Sequence, residues 1–253
     1  MAGQGTHQTL EGKAVLLTGA ARRIGASMAR AFHAAGANVV IHYRGSRQEA
    51  DTLADELRSE RPDSAAVVRG DLLDTASLPG MVNRAAEAFG RLDVLVNNAS
   101  TFYPTEVGSI TEAEWDDLVG TNLKAPLFLA QAAASWLKES RGLIINMVDI
   151  HARRPLQDHS VYCAAKAGLA MLTYSLARDL GPEVRVNGIA PGAILWPESG
   201  VEDTDKAAVL AEVPLGRAGD PADIAAAAVF MAQDAGYVTG QILAVDGGRS
   251  AGF

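Results

Sequence analysis

The sequence predicts a single α/β domain built on a doubly wound, mostly parallel sheet of seven strands with helices on both faces. Two observations support this fold class. Seven short apolar runs alternate with stretches in which apolar residues recur at helical spacing, which is typical of parallel strands joined by crossover helices. The chain has 253 residues, of which 48% are hydrophobic and 21% charged, and this suits one domain with a large core.

The individual elements follow from apolar runs, periodicity and turn residues. The predicted strands are residues 13–18, 38–42, 65–69, 92–97, 142–148, 183–189 and 241–245. The predicted helices are residues 22–35, 46–60, 75–89, 112–138, 161–180 and 221–233, with Pro221 near a start and Gly36, Gly90 and Gly181 after ends. Residues 1–9 lack apolar weight, so we expect a loose tail before a domain at residues 10–253.

Composition disfavours several classes of protein. The formal net charge of -8 argues against nucleic-acid binding, which normally needs a basic face. No apolar run reaches membrane-spanning length, and the first residues lack the pattern of a signal peptide. Cys163 is the single cysteine, so no intramolecular disulfide can form. We therefore expect a cytoplasmic protein with no nucleic-acid partner, no membrane segment and no metal site.

A buried strand, a glycine turn and a helix start stand together at residues 15–25, VLLTGAARRIG. Gly19 permits a tight turn and the close approach of a pyrophosphate. The helix that follows offers free N–H groups and the positive end of its dipole to phosphates. The pattern predicts a dinucleotide cradle at the end of the first strand.

Basic side chains gather around this cradle. Arg22 and Arg23 lie in the glycine turn, whereas Arg44 and Arg47 follow the second strand. An acidic residue after the second strand would select NAD, and none is present there. Guanidinium groups and the Ser46 hydroxyl can bind a 2′-phosphate by charge-assisted hydrogen bonds. We therefore predict NADPH as the cofactor; the alternative is that the arginines form a solvated helix face.

Three chemically reactive side chains stand close together further along the chain. Tyr162 and Lys166 are four residues apart in an alanine-rich helical run, so they share one helix face. A neighbouring ammonium favours the phenolate, and we expect Lys166 to lower the pKa of Tyr162. Asp149 directly follows a predicted strand and adds a carboxyl group. This set predicts acid–base chemistry.

Several motifs occur in the order used by short-chain dehydrogenases/reductases: TGAARRIG at 18–25, NNAS at 97–100, Asn122, Tyr162 with Lys166, and PG at 191–192. The chain resembles this family over about residues 13–249, which implies a Rossmann fold. At two positions the chain departs from the usual pattern of this family and resembles pteridine reductases. Arg23 stands where a glycine is usual, and Asp149 stands where a serine is usual. The segments NASTFYPT at 98–105, INMVD at 145–149 and HY at 42–43 resemble the same subfamily.

The resemblance implies a role for each site residue. Asp149, Tyr162, Lys166 and Asn122 would be catalytic, with Lys166 on the nicotinamide ribose and Asn122 holding a water in a proton relay. Asp71 would bind the adenine, with helix capping near Thr75 as the alternative. The implied cofactor-binding residues are Gly19, Arg22, Arg23, Ile24, Gly25, His42, Tyr43, Arg44, Ser46, Asp71, Leu72, Asn98, Ala99, Ser100, Tyr162, Lys166, Pro191, Gly192 and Ile194.

The implied substrate is a pterin stacked on Phe102, since an aromatic ring offers a large flat contact. A carboxylate at position 149 would repel the oxyanion of ketone reduction but suits protonation of a ring nitrogen. The remaining implied substrate residues are Ser100, Asp149, Tyr162, Leu195 and Trp196, under a covering region at residues 193–217. The resemblance also implies a homotetramer.

Two other functions fit parts of the sequence. One is a reductase of the same family that acts on a ketone or a 3-oxoacyl thioester, which the missing serine disfavours. The other is a non-catalytic NADP-binding regulatory protein, which would have no need for the four catalytic side chains together. Among pterins, the sequence does not choose between dihydrobiopterin, dihydromonapterin, dihydrofolate and fully oxidised forms.

Overall fold

Seven parallel strands form one sheet in the order β3-β2-β1-β4-β5-β6-β7 in the computed structural model, which describes residues 9–194 and 203–251. The strands are β1 (Ala14–Leu17), β2 (Asn38–Tyr43), β3 (Ala65–Arg69), β4 (Val94–Asn97), β5 (Leu143–Met147), β6 (Arg185–Pro191) and β7 (Ile242–Val245). Each predicted strand is present within two residues of its predicted bounds. The predicted fold class, a Rossmann-type doubly wound domain, is confirmed.

The strand order reverses at β1, and this reversal creates the site. Leu17, at the end of β1, pairs with Ile41 of β2 on one side and with Val96 of β4 on the other. The chain first runs outward to β3 and then crosses back to β4. Loops after β1 and β4 therefore leave the sheet in opposite directions, and a crevice opens between them.

The helices connect the strands and cover both faces of the sheet. They are α1 (Arg23–Ala34), α2 (Arg47–Glu60), α3 (Leu78–Glu87), α4 (Glu112–Val119), α5 (Ala125–Ser140), α6 (Ser160–Asp179), α7 (Asp203–Ala211) and α8 (Pro221–Gln233). Helix α3 begins three residues later than predicted, because residues 71–77 form turns and Pro79 belongs to the first helical turn. Helix α7 lies within the predicted covering region.

The helix predicted at residues 112–138 is interrupted. A capping box between Thr111 and Glu114 starts α4, and a π-helical turn at Gly120–Lys124 separates α4 from α5. The side chain of Asn122 lies in this turn and donates a hydrogen bond to the Leu118 carbonyl at 2.9 Å. Asparagine side chains compete with backbone groups in this way, which explains why the regular helix fails at this point.

Two apolar clusters hold the layers together. Phe32 of α1 and Ile224 of α8 are fully buried on one face of the sheet. Met81 of α3 and Leu129 of α5 are equally buried on the other face. Burial of such side chains stabilises the fold by about 1.5–3 kcal/mol each. No helix within the two described ranges is long and apolar enough to span a membrane.

Candidate functional site

A cleft of about 590 Å³ lies at the crevice beside β1. Its walls come from the end of β2, from the segments that follow β1, β2, β3 and β4, and from the π-helical turn. The lining residues are Gly19, Ala21, Arg22, Arg23, Ile24, Gly25, His42, Tyr43, Arg44, Gly45, Ser46, Asp71, Leu72, Asn98, Ala99, Ser100, Thr101 and Thr121. The structure thus brings together most of the residues that the sequence predicts around a dinucleotide.

The glycine turn has no room for side chains. Gly19 has a φ of +59°, and a Cβ atom added to it would lie 2.9 Å from Cα of Ala99. A Cβ on Gly25 would lie 2.6 Å from the Gly19 carbonyl oxygen. Only glycine keeps the backbone this close to the cleft, so the residues present fit a group that needs direct backbone approach.

His42 links the glycine turn to the segment after β3 through its two ring nitrogens. The Gly19 N–H donates to Nδ1 at 3.1 Å, so Nε2 carries the proton and donates to the Gly70 carbonyl at 3.2 Å. Burial lowers the pKa of His42 to about 4. His42 lines the cleft as predicted, but its ring joins the ends of β1, β2 and β3 and offers no spare polar group to a ligand.

Thr18 and Asn98 fix the other side of the turn. The Thr18 hydroxyl accepts hydrogen bonds from the backbone N–H groups of Asn98 and Ala99, at 2.9 and 3.1 Å. The Asn98 amide donates to the carbonyls of Thr18 and Gly19, at 2.9 and 3.1 Å. The predicted residues Asn98 and Ala99 therefore hold the glycine turn against β4.

The arginines lie at the open end of the cleft. Arg23 has a φ of +56°, in the left-handed region that favours glycine. This conformation costs a residue with a side chain about 1–2 kcal/mol. Arg22 and Arg44 are exposed, and Arg22 lies 3.8 Å from Glu49.

The Asp71 carboxylate accepts from the Leu73 N–H at 3.0 Å, so it shapes the turn before α3 rather than capping that helix.

Tyr162 and Asp149 meet near the same end of the sheet. The Tyr162 hydroxyl donates to Oδ2 of Asp149 at 2.7 Å, and the His151 N–H donates to Oδ1 at 2.8 Å. Asp149 follows β5 with an extended backbone and starts a short 3₁₀ turn, while Tyr162 lies in the first turn of α6. Two segments distant in sequence thus hold a phenol and a carboxylate in direct contact.

The pKa of Tyr162 moves upward, which is opposite to our expectation. Burial is the largest cause, followed by the charge of Asp149 and its hydrogen bond, whereas the Ser100 hydroxyl acts in the other direction. Lys166 does not lower it, because Nζ of Lys166 donates to the Met147 carbonyl at 2.9 Å and lies 5.6 Å from the Tyr162 ring centroid. Burial also lowers the pKa of Lys166 to about 8. The prediction about the Tyr162 pKa is therefore wrong in this structure.

Asn122 is fully engaged by protein groups. Its amide nitrogen donates to the carbonyls of Thr101 and Leu118, both at 2.9 Å, and its oxygen accepts from the Ser100 hydroxyl at 2.6 Å. The π-helical turn thus anchors the loop after β4. Both N–H groups of the Asn122 side chain are used, so this side chain has no remaining donor for a relay water.

Phe102 is half exposed and contacts two other rings. Its ring stacks on His159, with centroids 4.6 Å apart and planes 20° apart. It also meets Tyr162 edge-on, at 4.8 Å and 80°. Phe102 therefore lies beside the predicted acid–base pair, as a substrate-stacking role requires.

Comparison with known proteins identifies the family. A family model described as enoyl-(acyl carrier protein) reductase matches residues 19–250. The chain belongs to the short-chain dehydrogenase/reductase family.

Individual members of the family are similar over nearly the whole chain. Pteridine reductase 1 of Leishmania tarentolae is 38% identical over 280 residues, covering 93% of this chain and 95% of the relative. The 3-oxoacyl-(acyl-carrier-protein) reductase of Staphylococcus aureus is 36% identical over 240 residues, covering 93% and 97%. A blue fluorescent protein from a metagenomic library, solved in complex with NADPH, has a TM-score of 0.89 and 33% identity, covering 96% and 99%. Overall similarity therefore does not select a substrate.

Five predicted cofactor residues of this short-chain dehydrogenase/reductase do not line the cleft: Tyr162 and Lys166, described above, and Pro191, Gly192 and Ile194. Pro191 ends β6 beside Val245, the Gly192 N–H donates to the Val245 carbonyl at 3.1 Å, and the Ile194 side chain is buried in the core. They lie at the carboxyl end of the sheet, next to the covering region. The predicted substrate residues Leu195 and Trp196 lie outside the described residues.

Sequence reasoning missed other residues of this short-chain dehydrogenase/reductase site. Thr18 directly precedes Gly19, and its place at a strand end is the signal that could have found it. His159 lies three residues before Tyr162, a spacing that puts both on one helix face. His151 contributes only a backbone N–H, which no sequence pattern reveals. Thr101 and Thr121 also line the cleft.

Proposed function

We propose that this chain is an NADPH-dependent pteridine reductase that converts dihydropterins to tetrahydropterins. One observation carries the proposal: the Tyr162 hydroxyl contacts a carboxylate, Asp149, where most members of the family place a serine. A serine can donate a hydrogen bond to a ketone oxygen, whereas an ionised carboxylate would repel the developing oxyanion. The same pair is suited to protonate a ring nitrogen.

The residues present fit NADPH. Gly19 and Gly25 leave the space for a pyrophosphate at the start of α1, where the helix dipole favours anions. The cleft offers the donors that a 2′-phosphate needs, and no acid stands at residues 44–48, directly after β2, to repel it. These donors are Arg22, Arg23, Arg44 and Ser46. When bound, the reduced nicotinamide supplies the hydride.

The side chains divide the proton chemistry between them. The Tyr162 hydroxyl carries its proton at neutral pH, and we assign it as the general acid; its raised pKa means that it holds this proton more tightly than a free phenol does. Asp149 orients that hydroxyl and is itself held by the His151 N–H. Proton transfer to a ring nitrogen, together with hydride arrival at the adjacent carbon, completes the reduction of one C=N bond. The Lys166 ammonium donates to the Met147 carbonyl, at the carboxyl end of β5.

Phe102 supports a flat substrate. Its exposed ring lies within 4.8 Å of the Tyr162 ring, measured between centroids, so a bicyclic ring stacked on Phe102 would lie close to the Tyr162 hydroxyl. Stacking on an aromatic face suits a pterin better than an acyl chain. The similarity to pteridine reductase 1 agrees with this reading, and the similarity to 3-oxoacyl reductases defines the competing one.

The test follows NADPH oxidation with four compounds: dihydrobiopterin, dihydrofolate, biopterin and a 3-oxoacyl thioester. We expect turnover of dihydropterins and little or none of the thioester. The variant Asp149→Ser should lose pterin turnover by at least 100-fold and keep its affinity for NADPH, because Asp149 does not line the cleft. Turnover of the thioester alone would assign the chain to the competing class. Tight NADPH binding without turnover would favour the regulatory protein.

We also propose that the chain forms a homotetramer in the cytoplasm, with residues 193–217 covering the substrate. Two separate apolar surfaces support the assembly. Leu127 of α5 and Met171 of α6 are exposed on one side, and Phe230 and Leu243 lie near the edge strand β7. Two self-complementary surfaces are what a tetramer with dihedral symmetry needs. Light scattering of Met171→Asp should show a smaller particle than the wild-type protein, whereas an unchanged mass would remove Met171 from any interface.

A further inference from the structure

Phe102 lies in a corner formed by two other rings. The His159 ring covers one of its faces at a centroid distance of 4.6 Å, nearly parallel, and the Tyr162 ring lies at 4.8 Å, nearly perpendicular. Half of the Phe102 side chain remains exposed. Because His159 covers one face of the ring, a ligand would have to contact the part of Phe102 that stays exposed.

The first turn of α6 builds this corner. His159 is the N-cap residue of α6 and makes no side-chain capping bond, while Tyr162 follows three residues later on the same face. Nδ1 of His159 lies 2.7 Å from the Gln157 carbonyl oxygen, so it carries a proton and donates it, which fixes the ring plane.

The loop that carries Phe102 is docked on the same turn. Thr105 forms a β-bridge with His159, and the Thr105 N–H donates to the Asp158 carbonyl. The buried Thr105 thus ties the loop after β4 to the start of the helix that bears Tyr162. The stacking surface and the proton donor are held by one piece of backbone.

We propose that His159 is a positioning residue that determines specificity for flat heteroaromatic substrates. Its imidazole holds Phe102 at a fixed angle to Tyr162. A ring stacked on the exposed part of Phe102 therefore lies at a fixed distance from the Tyr162 hydroxyl. A substrate without a ring gains nothing from this arrangement. The inference rests on the proposed pterin reduction and adds the residue that orients its stacking surface.

Three substitutions at one position test the proposal. His159→Ala removes the ring, His159→Leu keeps bulk without aromaticity, and His159→Phe keeps the stack. We expect the KM for dihydrobiopterin to rise about five-fold in the Ala and Leu variants, as for the loss of one aromatic pair, with kcat and the Kd for NADPH within two-fold of wild type. His159→Phe should restore the wild-type KM. An unchanged KM in the Leu variant, or a Phe variant as impaired as Leu, would overturn the proposal.

A binding measurement separates this inference from the proposed function. Biopterin fluorescence is titrated with each variant in the presence of NADP⁺, which reports stacking without turnover. If the wild-type protein binds biopterin but reduces no pterin, the proposed function fails, and a weaker affinity confined to the Ala and Leu variants still supports the role of His159. If the wild-type protein does not bind biopterin, both proposals fall. A melting curve of each variant confirms folding.

Discussion

The Tyr162 hydroxyl donates a hydrogen bond to Oδ2 of Asp149 across 2.7 Å, and Asp149 is half-buried while Tyr162 is almost fully buried. A negative charge on Asp149 keeps the proton on Tyr162, and the phenol in turn satisfies one carboxylate oxygen. This arrangement keeps the phenol protonated and fixes the direction of its hydroxyl.

The first prediction is that Tyr162 and Asp149 act as one unit. Tyr162→Phe and Asp149→Asn should each lower kcat for dihydropterin by about 100-fold or more, since each removes general acid–base catalysis. The double variant should be no slower than the slower single variant, because the second change removes a group that has already lost its function. Single-turnover rates at saturating NADPH measure this. Losses that multiply would show that the two residues act independently.

The second prediction concerns the buried amine of Lys166. Its side chain is 2% exposed and burial lowers its pKa to about 8, so at pH 7 the fold carries a charged group that water would solvate better. Lys166→Met should raise the free energy of unfolding of the ligand-free protein by about 1 kcal/mol while reducing turnover sharply.

The pH dependence provides the control for Lys166. Between pH 8 and about 10.5 the unfolded chain binds more protons than the folded one, so the stability of the wild-type protein rises relative to Lys166→Met. Denaturant unfolding at pH 7 and pH 9.5 measures the difference. A variant that is less stable at both values would mean that the bond to Met147 outweighs the cost of burial.

The third prediction is a loss of stability in mild acid that depends on His42. Its folded pKa of about 4 lies below the ordinary value of 6.5, so the unfolded state binds the extra proton first. As the pH falls from 6.5 to 4, stability should fall by up to about 3 kcal/mol from this residue alone.

His42→Asn should flatten that part of the pH profile, because asparagine does not titrate. Burial also lowers the pKa of His33, so His33 likewise reduces stability in mild acid. Both proteins contain His33, so the difference between their pH profiles reports His42 alone. NADPH affinity should also weaken in the variant, since the Gly19 N–H loses its fixed partner. Equal pH slopes in both proteins would contradict the assignment.

The fourth prediction is that Arg23→Gly relieves backbone strain at this position and at the same time weakens the binding of NADPH. Glycine adopts the observed φ of +56° without steric cost, so the variant should unfold at the same temperature or higher. The Kd for NADPH should rise about ten-fold, whereas the Kd for NADH should stay within two-fold. Arg47→Ala serves as the control, because Arg47 pairs with Asp51 in α2 and does not line the cleft. A similar loss of NADPH affinity in both variants would indicate a general effect of net charge.

The sequence was sufficient for the sheet and for the dinucleotide cleft, because both depend on local patterns. Apolar runs gave every strand, and the spacing of Gly19 and Gly25 placed the turn that only glycine fits. The π-helical turn at residues 120–124 escaped prediction, since it depends on the bond from Asn122 to a carbonyl on the previous turn.

The electrostatics of the site were harder to predict. Spacing put Lys166 near Tyr162 correctly, but the sign of the pKa shift depends on burial and on which acceptor the amine reaches. The partner of Phe102 was equally hidden, because His159 meets it only after the loop at residues 101–105 docks on α6. Contacts between loops carry no periodicity that a sequence could display.

The π-helical turn also separates α4 from α5, so the two helices direct their buried side chains at different neighbours. Leu118, before the turn, packs with Val161 and Tyr162 at the active end of α6, whereas Leu129, after it, packs on the sheet. A wider turn takes in one additional residue, and each residue of a regular helix advances the side chains by about 100°. Because the wide turn absorbs that residue, deleting one residue within it would close a regular α-turn and leave α4 and α5 on the same faces, whereas a deletion within α5 would rotate the side chains that follow by about 100°. The register of α5 therefore depends on the number of residues within α5 more than on the number within the turn before it.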